Sequence, residues 1–129
     1  MNKHGNIKTM TSDGLVFDSI KEARRWSQLL LLQKAGEISN LERQVPYELI
    51  PAQYECYPRH SKTGKALKDG HKLIERSVKY VADFKYTETK TGETVVEDTK
   101  GCKQGVAYEL FVIKRKLMLL VHGIKVKEV

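Results

Sequence analysis

The sequence is poor in cysteine, poor in proline and without any apolar run near membrane-spanning length, and each shortage excludes something. A spanning helix needs about 20 consecutive apolar residues, and the N-terminus lacks the apolar stretch of a signal peptide, so the chain reads as a cytoplasmic protein with no membrane partner. Cys56 and Cys102 stand alone, with no CxxC and no histidine at zinc-ligand spacing, which excludes a disulfide scaffold and a zinc finger and leaves two free thiols. His4, His60, His71 and His122 form no ligand spacing either, so an HNH-type nuclease site is not visible. Thr63-Gly64-Lys65 lacks the rest of a phosphate-binding P-loop, and an ATPase is not supported. What is present is length for one core and an excess of positive charge. A chain of 129 residues folds as a single domain without staples, and 23 Lys plus Arg against 16 Asp plus Glu give +7. The partner is then polyanionic, and charge by itself does not separate DNA from RNA, an acidic protein or a membrane surface.

Residues 1–13 are polar and aperiodic, as in a flexible terminus, and the domain is placed at 14–129. Asp18 or Ser19 caps a helix with Glu22 in its first turn. Ile20, Ala23, Trp26, Ser27, Leu30 and Leu31 follow as the buried stripe, and Gly36 ends it. Arg43 to Ile50 alternates and forms a strand, which Pro46 assigns to an edge or a strand start. From Pro58 to Lys72 there is little to bury, and Arg59, Lys62, Lys65, Lys68 and Lys72 mark a long basic loop. Leu73 to Glu88, the turn Thr89-Lys90-Thr91-Gly92 and Glu93 to Lys100 make a hairpin. A second helix runs from about Gly105 to Val121, with Val106, Leu110, Ile113, Leu117 and Leu120 or Val121 inward and Gly123 past its end. Ile124 to Val129 closes as a short strand. The fold class is α/β (α+β): one central mixed β-sheet that needs helices to cover it.

Asp83-Phe84-Lys85, Glu88-Thr89-Lys90 and Asp98-Thr99-Lys100 share an acid-x-Lys pattern that chance alone supplies this often. Setting separates them. Glu88-Thr89-Lys90 lies at a turn, where charges are solvated. Asp98 and Lys100 lie on a strand expected to be central, two residues apart and therefore on one face. With a four-residue loop Glu88 faces Glu93, and counting back along both strands puts Asp83 opposite Asp98; a three-residue loop with a bulge sends the two to opposite faces. Two carboxylates roughly 4 Å apart repel by about 4 kcal/mol at an effective dielectric near 20. A cation relieves this, either the Lys100 ammonium or a hard ion such as Mg²⁺ held by one or two carboxylates and water.

Phe17-Asp18-Ser19-x-Lys21-Glu22-Ala23-Arg24-Arg25, Tyr80-Val81-Ala82-Asp83-Phe84 and Val96-Glu97-Asp98-Thr99-Lys100-Gly101 resemble a family of small phage and prophage proteins of the PD-(D/E)xK nuclease superfamily. The likeness covers the chain after residue 14, with Ala82 in place of the proline in the superfamily's name. It implies a restriction-endonuclease-like αβββαβ core and a Mg²⁺-dependent endodeoxyribonuclease, with Mn²⁺ as a substitute ion. Asp83, Asp98, the Thr99 carbonyl and Glu22 would serve the metal, and Lys100 would orient the attacking water or stabilise the transition state. Water would attack in line, leaving a 5′ phosphate and a 3′ hydroxyl. Glu22 also has a plain reading as a first-turn acid against the helix dipole, and Glu97, facing the other way, reads as structural. DNA contacts fall to the basic loop and to Lys114, Arg115 and Lys116 on the later helix. Branched DNA, cut by a homodimer in the manner of a junction resolvase, fits the small basic type. The alternatives are a non-catalytic DNA-binding module that keeps the fold, and a structural or RNA-binding phage protein.

Overall fold

The computed structural model describes residues 8–11 and 13–129. Of the terminus expected to lack structure, residues 1–7 and Ser12 lie outside the described residues. The described part is ordered into a small ladder: β1 (Thr9–Met10) pairs antiparallel with β2 (Val16–Phe17). Asp13 between them accepts a 2.7 Å hydrogen bond from the Trp26 indole, which ties the turn to the core.

Helix α1 (Ile20–Lys34) begins where Ser19, in extended backbone, accepts from the Glu22 amide at 3.1 Å, and Gly36 follows its end at φ 81°. Its buried face differs from the expected stripe. Leu29 is fully buried beside Ala23 and Trp26, while Ile20 and Leu31 are exposed. With four consecutive leucines the sequence cannot say which one faces inward, and Trp26 and Ala23 select Leu29.

Strand β3 (Ile38–Ile50) starts five residues earlier than expected and lies at a sheet edge, where Pro46 sits without breaking a ladder. Asn40 and Gln44 adopt φ of 55° and 53°, and a register shift falls between Ser39 and Glu42. The stretch expected as a basic loop is instead a hairpin, β4 (Gln53–His60) with β5 (Ala66–Glu75). Every residue of β4 is exposed, and so is every residue of β5 except Gly70. A Cβ at Gly70 would lie 2.2 Å from Tyr57 Cζ, so the tyrosine ring lies across the ladder in the space a side chain there would fill. The ribbon therefore stands out from the body with its own internal packing. It also divides the expected 73–88 strand, whose second part is β6 (Val78–Glu88).

β6 and β7 (Thr94–Asp98) form the expected hairpin, and its register pairs Phe84 with Glu97 and Thr87 with Thr94. After α2 (Val106–Leu117) the chain continues as a π-helical turn, Met118–His122, capped by Gly123 at φ 69°, and ends in β8 (Lys127–Glu128). The central sheet has the order β3-β6-β7-β8, antiparallel except for the β7–β8 pair, and helices flank it. β7 is internal, as its run of Val95 and Val96 suggested.

Two apolar clusters fill the interior. One gathers Phe17, Trp26, Leu29 and Ile38 with Phe84 and Tyr86; the other gathers Leu49, Tyr80, Ala82 and Val96 with Phe111 and Met118. The inward residues of α2 and the turn after it are thus Phe111 and Met118, with the expected Leu117 packed beside them, whereas the expected Val106, Leu110 and Ile113 are exposed, as are Leu120 and Val121. Asp83 falls between Ala82 of one cluster and Phe84 of the other, so the junction of two cores holds a carboxylate.

Candidate active site

The four-residue loop is present: the Glu88 and Glu93 backbones bond at 2.9 Å, and the register continues toward Asp83 and Asp98 on one face. The Asp83 carboxyl lies within hydrogen-bonding reach of Asp98 when one of them holds a proton. It also accepts from the Thr99 amide at 2.8 Å, which fixes its rotamer. Burial, then the proton-sharing contact and the charge of Asp98, pushes the Asp83 carboxyl up to about 8. Asp98 is 4% exposed and pairs with the Lys100 ammonium at 2.9 Å. Lys100 Nζ also stands 4.0 Å from the centre of the Phe111 ring. The last residues of the chain hold this segment: Lys100 N donates to Val129 O at 3.2 Å, and Val129 N donates to Asp98 O at 3.0 Å.

Glu22 enters from the first turn of α1. It is 9% exposed, so it is more than a solvated acid complementing the helix dipole. Burial raises its pKa, with the Arg43 charge opposing and Asp18 and Asp98 adding to the rise. Gln44 Nε2 donates to Glu22 Oε1 at 3.3 Å, from a strand position whose positive φ redirects the chain. Glu22, Asp83, Asp98, Thr99 and Lys100 line one cavity of about 570 Å³. A second opening of about 340 Å³ reaches Asp83, Asp98 and Lys100 from between β6 and α2, past Lys79, Val81 and Lys114.

Behind the site, on the opposite face of β7, Glu97 is fully buried and clamped by Arg25 of α1, Nε to Oε1 at 2.7 Å and Nη2 to Oε2 at 2.6 Å, with the Tyr86 hydroxyl as third donor. Burial alone would raise the Glu97 carboxyl, but the Arg25 and Tyr86 hydrogen bonds outweigh it and hold it below its usual range. Since Arg25 lies three residues after Glu22 and Glu97 next to Asp98, the clamp sets the helix that carries one acid against the strand that carries another.

Other residues fall elsewhere. Arg59, Lys62, Lys65, Lys68 and Lys72 are exposed on the ribbon, and none lines either opening. Lys114 borders the second opening, Arg115 pairs with Glu128 at 3.2 Å, and Lys116 is exposed without lining the site. Sequence reasoning missed Gln44, whose turn inward depends on a backbone angle. It also missed Tyr80, whose buried hydroxyl lies beside Asp98 and close to Asp83, so that burial and their charges raise its pKa.

The donor set suits a hard divalent ion in part. Two carboxylates converge, Asp83 has no ion-pair partner among the described residues, and Mg²⁺ commonly takes one or two carboxylates and completes its shell with water. Among the described residues no group of three or more His, Cys, Asp or Glu is close enough to hold a metal by itself.

A family model described as "Protein of unknown function (DUF1064)" matches residues 1–127. No curated protein matches the chain, and no solved structure does.

Proposed function

We propose that this chain, which belongs to the DUF1064 family, is a Mg²⁺-dependent DNA endonuclease of the PD-(D/E)xK kind, with Mn²⁺ able to substitute. The observation that carries the reading is the meeting of Asp83, Asp98 and Lys100 in one cavity, with Glu22 beside them. Asp83 and Asp98 would hold the ion, which when bound supplies Lewis-acid stabilisation of a phosphoryl oxygen and a more acidic water. The protein's own groups do the rest. Thr99 N–H fixes Asp83, Gln44 holds Glu22, and the Lys100 ammonium offers a positive charge to the phosphate as charge builds on it. Phe111 under Lys100 supports the ammonium while keeping water from one side of it.

DNA is favoured as the polyanion by the ribbon's form. A two-stranded β-ribbon fits the major groove of B-DNA, and five exposed cations along this one face phosphates without entering the site. Lys62→Ala, Lys65→Ala and Lys68→Ala combined are expected to weaken binding to all sequences alike and to lower the slope of log K against log salt by up to about 3. Fluorescence anisotropy in EDTA at several salt concentrations measures this, and an unchanged slope removes the ribbon from the interface. The same ribbon supports the second reading, a non-catalytic DNA binder. Incubating wild type, Asp83→Ala and Lys100→Ala with linear, nicked, single-stranded and four-way-junction DNA plus Mg²⁺ or Mn²⁺ separates the two. Cleavage by wild type alone supports the nuclease, whereas binding by all three with no cleavage supports the binder.

A further inference from the structure

Helix α2 is apolar on two opposite faces. Tyr108, Phe111, Val112 and Met118 pack toward the sheet. Val106, Leu110 and Ile113 point away from it, 81%, 51% and 56% exposed, and half-buried Leu117 continues their row. The spacing from Val106 to Leu110 to Ile113 to Leu117 is four, three, four, the seam of a helix that pairs with another helix. Such a row needs a helical partner with the same spacing. The exposed apolar residues of α1, Ile20, Leu31 and Leu32, do not repeat this spacing, so the matching surface is a second copy of α2.

Charge sets the direction. The first turn of α2 carries Glu109, and its last turn carries Lys114, Arg115 and Lys116. Parallel helices would bring both basic ends together and align both dipoles. Antiparallel helices place each basic end beside the other copy's acidic first turn, which favours both the charges and the dipoles. In antiparallel register Leu110 meets Ile113 of the second copy, Val106 meets Leu117, and Glu109 flanks Lys116, each pair occurring twice about the dyad. Both Glu109 and Lys116 are exposed and have no ion-pair partner among the described residues.

We infer that the chain forms a two-fold homodimer through the outward face of α2, packed antiparallel, with Glu109 of each copy against Lys116 of the other. Ala107, Leu110 and Lys114 also border the second opening of the site, so the dyad runs beside that opening and the other copy forms its outer wall. The pairing does not rest on the nuclease reading, because a chain that cuts no DNA would still dimerise.

One helix pair is a small interface, roughly 1,200 Å² or less in total, so dissociation in the micromolar range is expected. Sedimentation equilibrium of the full chain from about 1 to 100 µM should show the mass rising from monomer to dimer. Leu110→Glu and Ile113→Glu should each keep it monomeric, and an unchanged circular dichroism melt would show that the fold survives. Glu109→Lys alone and Lys116→Glu alone should each weaken the dimer about tenfold, and the two together should restore it. Wild type monomeric throughout, or a dimer indifferent to Leu110→Glu, overturns the interface. Rescue of Glu109→Lys by Lys114→Glu instead of Lys116→Glu overturns the antiparallel arrangement.

Discussion

Lys100→Ala is expected to slow single-turnover DNA cleavage by about 10² to 10³-fold or more, while DNA affinity changes by less than about tenfold. The asymmetry follows from where the ammonium sits. It is 2.9 Å from Asp98, over the Phe111 ring, and its side chain is 24% exposed, so its charge acts in a setting poorer in water than the surface lysines. Charge building on a phosphate in the cavity gains most from a cation already in place, and a substrate phosphate in the ground state gains less. In the proposed complex affinity draws instead on the ribbon's cations. Rapid-quench cleavage with enzyme in excess over a labelled duplex measures the rate, and anisotropy in EDTA measures affinity. A variant that binds and cuts like wild type would place the chemistry elsewhere.

Arg25→Met is expected to destabilise the fold by about 3–5 kcal/mol, lowering the melting temperature by roughly 10–20 °C. Glu97 has no exposed surface, and losing Arg25 strips it of two of its three donors, leaving a buried carboxylate with Tyr86 alone. Burial then dominates and the Glu97 pKa rises, so the destabilisation should be smaller at acid pH, where the carboxyl can protonate. The double variant Arg25→Met with Glu97→Leu should recover most of the stability, since removing both partners leaves no unpaired charge. Calorimetry of wild type, Arg25→Met and the double variant tests this, and a single variant melting within about 2 °C of wild type would show that the clamp carries little.

The site was legible in the sequence to the extent that strand register fixes geometry. Thr89 to Gly92 and the alternating runs on either side were enough to bring Asp83 and Asp98 to one face, with Lys100 two residues on. Glu97 facing the other way followed from the same pleat. What stayed hidden lacked a burial signal or had two. The ribbon alternates in space, but with almost every residue exposed its sequence shows no period of two, and Pro58 and Gly70 read as loop residues. α2 offered two apolar rows, and the regular heptad row looked like the core although Phe111 and Met118 form it. Gln44 reaches Glu22 only because its backbone takes φ 53°, which no residue type there announces. The expected restriction-endonuclease-like core belongs to the proposal; the order α1, β3, β6, β7, α2, β8 about a mixed sheet, with the ribbon inserted, is what the chain adopts.

Asp83 and Asp98 are proposed above to form a site for a divalent cation. Titration calorimetry with Mn²⁺ on DNA-free protein, repeated in buffers of different ionisation heat, measures both affinity and protons released. With Asp83 at about 8 in the metal-free protein, the pair holds a proton below that pH, and the ion must displace it. The account predicts release of about one proton per Mn²⁺ near pH 6, falling toward zero above pH 9, with affinity rising over the same range. Asp83→Asn should abolish both the binding and the release. Equal Mn²⁺ binding by wild type and Asp83→Asn, or no binding by wild type at millimolar Mn²⁺, would contradict it.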